Sequence, residues 1–92
     1  MSDERVVEIV PAAGLHARPA ALFVETVTDH DADVEVGPPE GDLVPAKSMI
    51  AVTSLGVGQG DELRLVADGL EAGAVLDELE RILTTPEDEL EA

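Results

Sequence analysis

The spacing of apolar residues along this chain switches repeatedly between two and about 3.6, and each switch marks the end of one short element and the start of the next. Arg5 to Val10 is predicted to be a strand, with Val7 and Ile9 on one face. Pro11-Ala12-Ala13-Gly14 breaks it. From Ala17 to Asp29, the residues Ala20, Phe23, Val24 and Val27 fall on one helical stripe. Pro19 sits in the first turn of that helix, where its missing N–H costs nothing. Asp33 to Val36 alternates acid and valine, the pattern of a half-buried strand. Gly37-Pro38-Pro39-Glu40-Gly41 is a turn, and Asp42 to Ala46 is predicted as the returning strand. Ser48 to Ser54 is predicted as a short helix with Ser48 as its N-cap. A glycine-rich loop, Gly56 to Gly60, leads to a strand over Glu62 to Ala67, with Leu63 and Leu65 on one side. Asp68-Gly69 then turns the chain into a helix over Glu71 to Leu83, with Val75, Leu76, Leu79, Ile82 and Leu83 inward. The order strand-helix-strand-strand-helix-strand-helix predicts one α+β domain of two layers, helices on one face of the sheet. Thr84 to Ala92, with four acids in nine residues, is expected to be a disordered tail.

What fills the core and what coats it are both unusual. Phe23 is the only aromatic residue, so the interior must be built from Val, Ala, Leu and Ile. Without aromatic platforms the chain is no candidate for stacking single-stranded nucleic acid. Twenty-one acids against five bases leave a net charge of −16, which opposes binding to duplex DNA or to anionic lipid. A small domain with that charge repels itself until salt screens it. At about 1 M salt the Debye length is about 3 Å and most of the repulsion is gone. The composition therefore predicts a halophile's protein, adapted to a salty cytoplasm. With no cysteine, disulfides, thiolate nucleophiles and zinc-thiolate sites are excluded. No long apolar run and no signal-peptide pattern are present, and a cytoplasmic location is the expectation.

One segment carries the ingredients of chemistry: Gly14-Leu15-His16-Ala17-Arg18-Pro19-Ala20. His16 lies at the mouth of the first predicted helix, where backbone N–H groups are unpaired and the helix dipole is positive. A positive environment disfavours imidazolium, so a neutral, nucleophilic ring is expected. The same N–H groups would hold an anion placed on that ring, and a phosphoryl group fits. Arg18 can reach phosphoryl oxygens with charge-assisted hydrogen bonds. The residues alone leave an equal alternative, a plain histidine N-cap followed by a surface arginine.

The segment resembles the active-site motif of the HPr family, the histidine phosphocarriers of the sugar phosphotransferase system. A second segment, Ala46-Lys47-Ser48-Met49-Ile50-Ala51-Val52-Thr53-Ser54-Leu55-Gly56, is similar to that family's regulatory-serine region. The resemblance runs from about Arg5 to Leu83, and the turn Gly37 to Gly41 is about one residue longer than is typical. It implies an open-faced β-sandwich, a four-stranded antiparallel sheet of order 1-4-2-3 covered by three helices. It implies that His16 accepts a phosphoryl group on Nδ1 from phosphorylated enzyme I, charged by phosphoenolpyruvate, and passes it to an enzyme IIA domain. Arg18 would orient the group. Ser48 would match the serine that a dedicated kinase phosphorylates in some bacteria. Leu15, Ala17, Ala21, Lys47, Met49 and Ile50 would contact partners, with Leu15, Met49 and Ile50 as the apolar docking patch. Such a protein is a carrier and not a stand-alone enzyme, is expected to be a monomer, and needs no cofactor or metal.

The departure from the family lies in charge. Many members ring the site with Lys and Arg, whereas here Arg18 and Lys47 are the only cations near the two motifs. A fructose-type acceptor is the expected destination. The alternatives are a carrier feeding the phosphotransfer subunit of a dihydroxyacetone kinase, and a regulatory module working through the Ser48 face. His30, with Asp31 and Asp33, is too sparse a set for a metal. The Gly56 to Gly60 loop precedes a strand and is followed by no Gly-Lys-Ser/Thr, so it is a turn and not a nucleotide loop.

Overall fold

The two periodicities become two layers. The structure, a computed structural model, describes residues 2–90. The strands are β1 (Ser2–Glu8), β2 (Asp33–Gly37), β3 (Val44–Pro45) and β4 (Glu62–Asp68). They form one antiparallel sheet of order β1-β4-β2-β3. The helices α1 (Ala17–Asp29), α2 (Met49–Ser54) and α3 (Ala72–Thr84) pack together and against the sheet. This is the open-faced sandwich and the strand order that the family resemblance implied.

Alternation decides which face of each strand is covered. Val7, Val34, Val36, Leu63, Leu65 and Ala67 are buried under the helices, while Glu4, Glu8, Glu35 and Glu62 stay exposed. From the helices, Ala20, Phe23 and Val27 of α1 meet Val75, Leu76 and Leu79 of α3 in the same core. Among the described residues no polar or charged side chain is buried, so all the described acids lie at the surface. Arg5 of β1 reaches Asp77 Oδ1 at 2.7 Å and Glu80 Oε1 at 3.0 Å on α3, tying sheet to helix. The hydrogen bond donated to Asp77, chiefly, raises the guanidinium's pKa above its ordinary value against the opposing effect of burial.

Three expected boundaries move, each for a reason beyond local pattern. β1 starts at Ser2 because β4 runs as far as Asp68, so Ser2 pairs with Asp68 at the far end of the ladder. It stops at Glu8, and two residues on the chain has left the ladder, with Val10 N donating to Leu83 O of α3. β3 shrinks to Val44–Pro45. Asp42 crosses so close to Gly37 that a Cβ there would lie 2.3 Å from the Asp42 carbonyl oxygen, and Pro45 has no N–H to extend a ladder. The tail expected to be disordered is structured to Leu90: Thr84 ends α3, and Glu87–Leu90 form a further short helix, α4. The Pro86 carbonyl accepts from Glu89 N at 3.0 Å and Leu90 N at 3.3 Å. Glu87, Asp88 and Glu89 stand in the first turn, where the dipole favours acids. Glu91 and Ala92 of that tail lie outside the described residues.

Candidate functional site

His16 is the N-cap of α1, in extended backbone with φ −138° and ψ 168°. Its carbonyl accepts from Ala20 N at 3.4 Å, starting the helix. Its imidazole makes no capping bond, is exposed, and has no hydrogen-bond partner among the described residues. His16 thus caps α1 through its backbone alone, and its side chain makes none of the bonds to the helix's first amides that a side-chain cap makes. Ala17 follows with φ +50°, a left-handed conformation that costs a residue bearing a Cβ about 1–2 kcal/mol. It is the only described non-glycine residue with positive φ, and it adjoins His16. Strain of that kind persists only where the surroundings enforce it.

The turn that leads into Ala17 is firmly anchored. Gly14, at φ +72°, backs onto the Gly56 to Gly60 loop so closely that a Cβ would lie 2.7 Å from Gly58 Cα and Val57 O. Leu15 N donates to Val57 O at 3.2 Å, and the Leu15 side chain is 1% exposed. Gln59 Nε2 donates to Val10 O at 3.0 Å, and Gly60 N to Ile9 O at 2.8 Å. The glycine-rich loop is thus the platform on which the His16 turn is built. Sequence reading classed it as a turn and missed that role. Its five-residue glycine spacing showed only that backbone comes close somewhere.

The cations sort themselves. Arg5, Arg64 and Arg81 are ion-paired, with Asp77 and Glu80, with Glu4, and with Glu78 respectively. Arg18 and Lys47 have no carboxylate partner among the described residues, although 21 acids are present. Arg18 stands two residues past His16 on the first turn of α1, available to an incoming anion. Lys47 stands elsewhere. It lines a polar cavity of about 140 Å³ with His30, Asp31, Asp33 and Asp68, at the C-terminal end of α1. A helix of 13 residues puts that end about 20 Å from His16. The structure therefore separates Lys47 from the His16–Arg18 pair. Within that cavity His30 Nδ1 lies 2.8 Å from Thr26 O, an ordinary tie back to its own helix.

The expected docking patch loses one member. Leu15 is buried in the core under the glycine loop, because the turn that exposes His16 must anchor the residue before it. Met49 and Ile50 remain exposed, at 38% and 79%, on α2. Ala17 and Ala21, one turn apart on α1, are exposed as well, and α1 packs directly against α2. Ser48 caps α2, its Oγ accepting from Ala51 N at 3.1 Å.

A family model described as the PTS HPr component phosphorylation site matches residues 3–85. The chain belongs to the HPr family, the phosphocarriers of the phosphotransferase system. It is 61% identical over 85 residues to the phosphocarrier protein HPr of Haloferax volcanii, covering 91% of this chain and 96% of that one. The HPr of Streptomyces coelicolor is 39% identical over 87 residues, covering 95% and 94%. In three dimensions the chain is similar to a crystal structure of HPr from Bacillus anthracis, with a TM-score of 0.84 and 32% identity over 89% of this chain and 96% of that one. The Haloferax relative agrees with the halophilic reading of the composition. With a net charge of −16, Arg18 is the one arginine at the His16 turn and has no carboxylate partner among the described residues. Among the described residues no helix is long and apolar enough to cross a membrane.

Proposed function

We propose that His16 is the phosphoryl acceptor of this HPr and Arg18 the residue that orients the transferred group. The carrying observation is the pairing of an exposed, unpartnered imidazole with the unpaired Arg18 at the mouth of α1. In the reaction the Nδ1 lone pair attacks phosphorus, and the bond from phosphorus to enzyme I breaks as the N–P bond forms. Handing the group to an enzyme IIA domain reverses this, and the neutral imidazole is restored. The chain supplies the nucleophile, the first-turn amides of Ala17 and Arg18, and one guanidinium; the catalytic machinery belongs to its partners. It works in the cytoplasm, and a fructose-type IIA domain is the acceptor we favour. Ala17, Ala21, Met49 and Ile50 form the apolar surface that docks those partners. In molar salt, steering by charge is weak and apolar contact has to carry association.

Labelled phosphoenolpyruvate and enzyme I test this directly. His16→Ala should take up no label while keeping its fold, because the side chain is exposed and makes no capping bond. Label remaining on His16→Ala would refute the assignment and point to His30. Arg18→Ala should slow transfer about 10- to 100-fold, the worth of one charged hydrogen bond. The label should be acid-labile and alkali-stable, as a phosphoramidate is. Acid-stable label would place it on a hydroxyl, Ser48 foremost, and make the protein a regulator.

A further inference from the structure

The helix α4 lies beyond everything the phosphocarrier reading uses, yet it touches the turn that presents His16. Glu87 Oε1 accepts from Ala13 N at 2.9 Å, joining residues 74 positions apart. Around this contact the two segments stand apart. An open groove of about 490 Å³ separates Val10, Ala12 and Gln59 on one side from Pro86, Glu87 and Asp88 on the other. The next two amides of the turn are held by backbone: Gly14 N by Pro11 O, and Leu15 N by Val57 O. Ala13 N alone depends on a side chain, and that side chain comes from the chain's far end. A carboxylate on a backbone N–H is a charge-assisted bond, stronger than a neutral one.

We infer that Glu87 is a positioning residue for phosphoryl transfer: it latches Ala13 and so holds the turn in the one conformation that points His16 outward with Ala17 at positive φ. The Ala17 conformation is unfavourable in isolation, so the turn has other states to visit when a tether is lost. Each excursion removes His16 from the competent population and weakens apparent affinity for the phosphoryl donor by the same fraction. Glu87 reaches neither the phosphoryl group nor His16 in this scheme; it acts through the backbone of Ala13.

The inference rests on His16 being the acceptor, and the test separates the two. Amide exchange is followed by NMR in molar potassium chloride, together with the kinetics of phosphorylation by enzyme I, on the full chain. In Glu87→Ala, Ala13 N–H should exchange at least about 10-fold faster while the N–H of Leu65, inside the central strand of the sheet, is unchanged. The KM for the carrier should rise about 3- to 10-fold with kcat unchanged. Glu87→Gln keeps a carbonyl acceptor at the same place without the charge and should fall between the native protein and Glu87→Ala in both measurements. Unchanged Ala13 exchange in Glu87→Ala overturns the latch. So does faster exchange with an unchanged KM, and so does a Glu87→Gln protein that behaves like Glu87→Ala. Label retained on His16→Ala overturns the acceptor assignment and the kinetic half of the inference with it, whereas the Ala13 exchange result stands on its own.

Discussion

Gly14 and Gly56 share a backbone conformation and differ in surroundings, so replacing each with alanine isolates what close packing contributes to the site. Both have positive φ, +72° and +68°. A left-handed alanine costs about 1–2 kcal/mol, and the lower entropy of the unfolded alanine chain returns about 0.4–1 kcal/mol. Gly56→Ala meets nothing within 4 Å and should therefore lose only about 1 kcal/mol. Gly14→Ala puts its Cβ 2.7 Å from Gly58 Cα and from Val57 O, both backbone atoms that no rotamer change can move. Overpacking of that kind adds about 1–3 kcal/mol, for a total of about 2–4 kcal/mol. For a domain of this size each kcal/mol is worth about 4–8 °C, so Gly14→Ala should melt at least about 8 °C below the native protein. Thermal melting in molar potassium chloride measures both variants. The relief of the clash also has a direction: the turn must lift from the glycine loop, lengthening Leu15 N to Val57 O and tilting His16. Phosphorylation by enzyme I should then fall in Gly14→Ala and stay near native in Gly56→Ala. Equal melting temperatures for the two variants would refute the argument that the glycine loop is the platform of the site.

Two further perturbations test the charge and the second helix. With a net charge of −16 the melting temperature should rise steeply from dilute buffer to molar potassium chloride, and an equal value in both would remove the halophilic reading. Ser48→Ala should cost about 1 kcal/mol in a denaturation experiment, since Ser48 Oγ accepts from Ala51 N. Ser48→Asp keeps a capping oxygen but adds charge beside Met49 and Ile50, so it should retain stability and slow transfer from enzyme I; an unchanged transfer rate would leave Ser48 with a capping role only.

What the amino-acid order settled by itself is what depends on neighbours within about one turn or one strand. The stripe Ala20, Phe23 and Val27, the stripe Val75, Leu76, Leu79, Ile82 and Leu83, and the Ser48 cap all stand where the spacing put them, because helix and strand periods are local properties. The His16 and Arg18 pair was legible for the same reason, as both lie on one helix start. Tertiary structure decided the rest. Leu15 looks like surface beside an exposed histidine, but it is buried because the glycine loop arrives from forty residues away in sequence. Lys47 stands beside the second motif in sequence, and the fold puts it at the opposite end of α1 from His16. The acidic tail reads as solvated chain, since nothing within it pairs its carboxylates. Only the folded molecule brings Glu87 to a turn amide, Ala13 N. Contacts between distant segments leave no periodic trace in sequence, because what they require is two groups that meet, and the meeting place is set by the packing of everything between them.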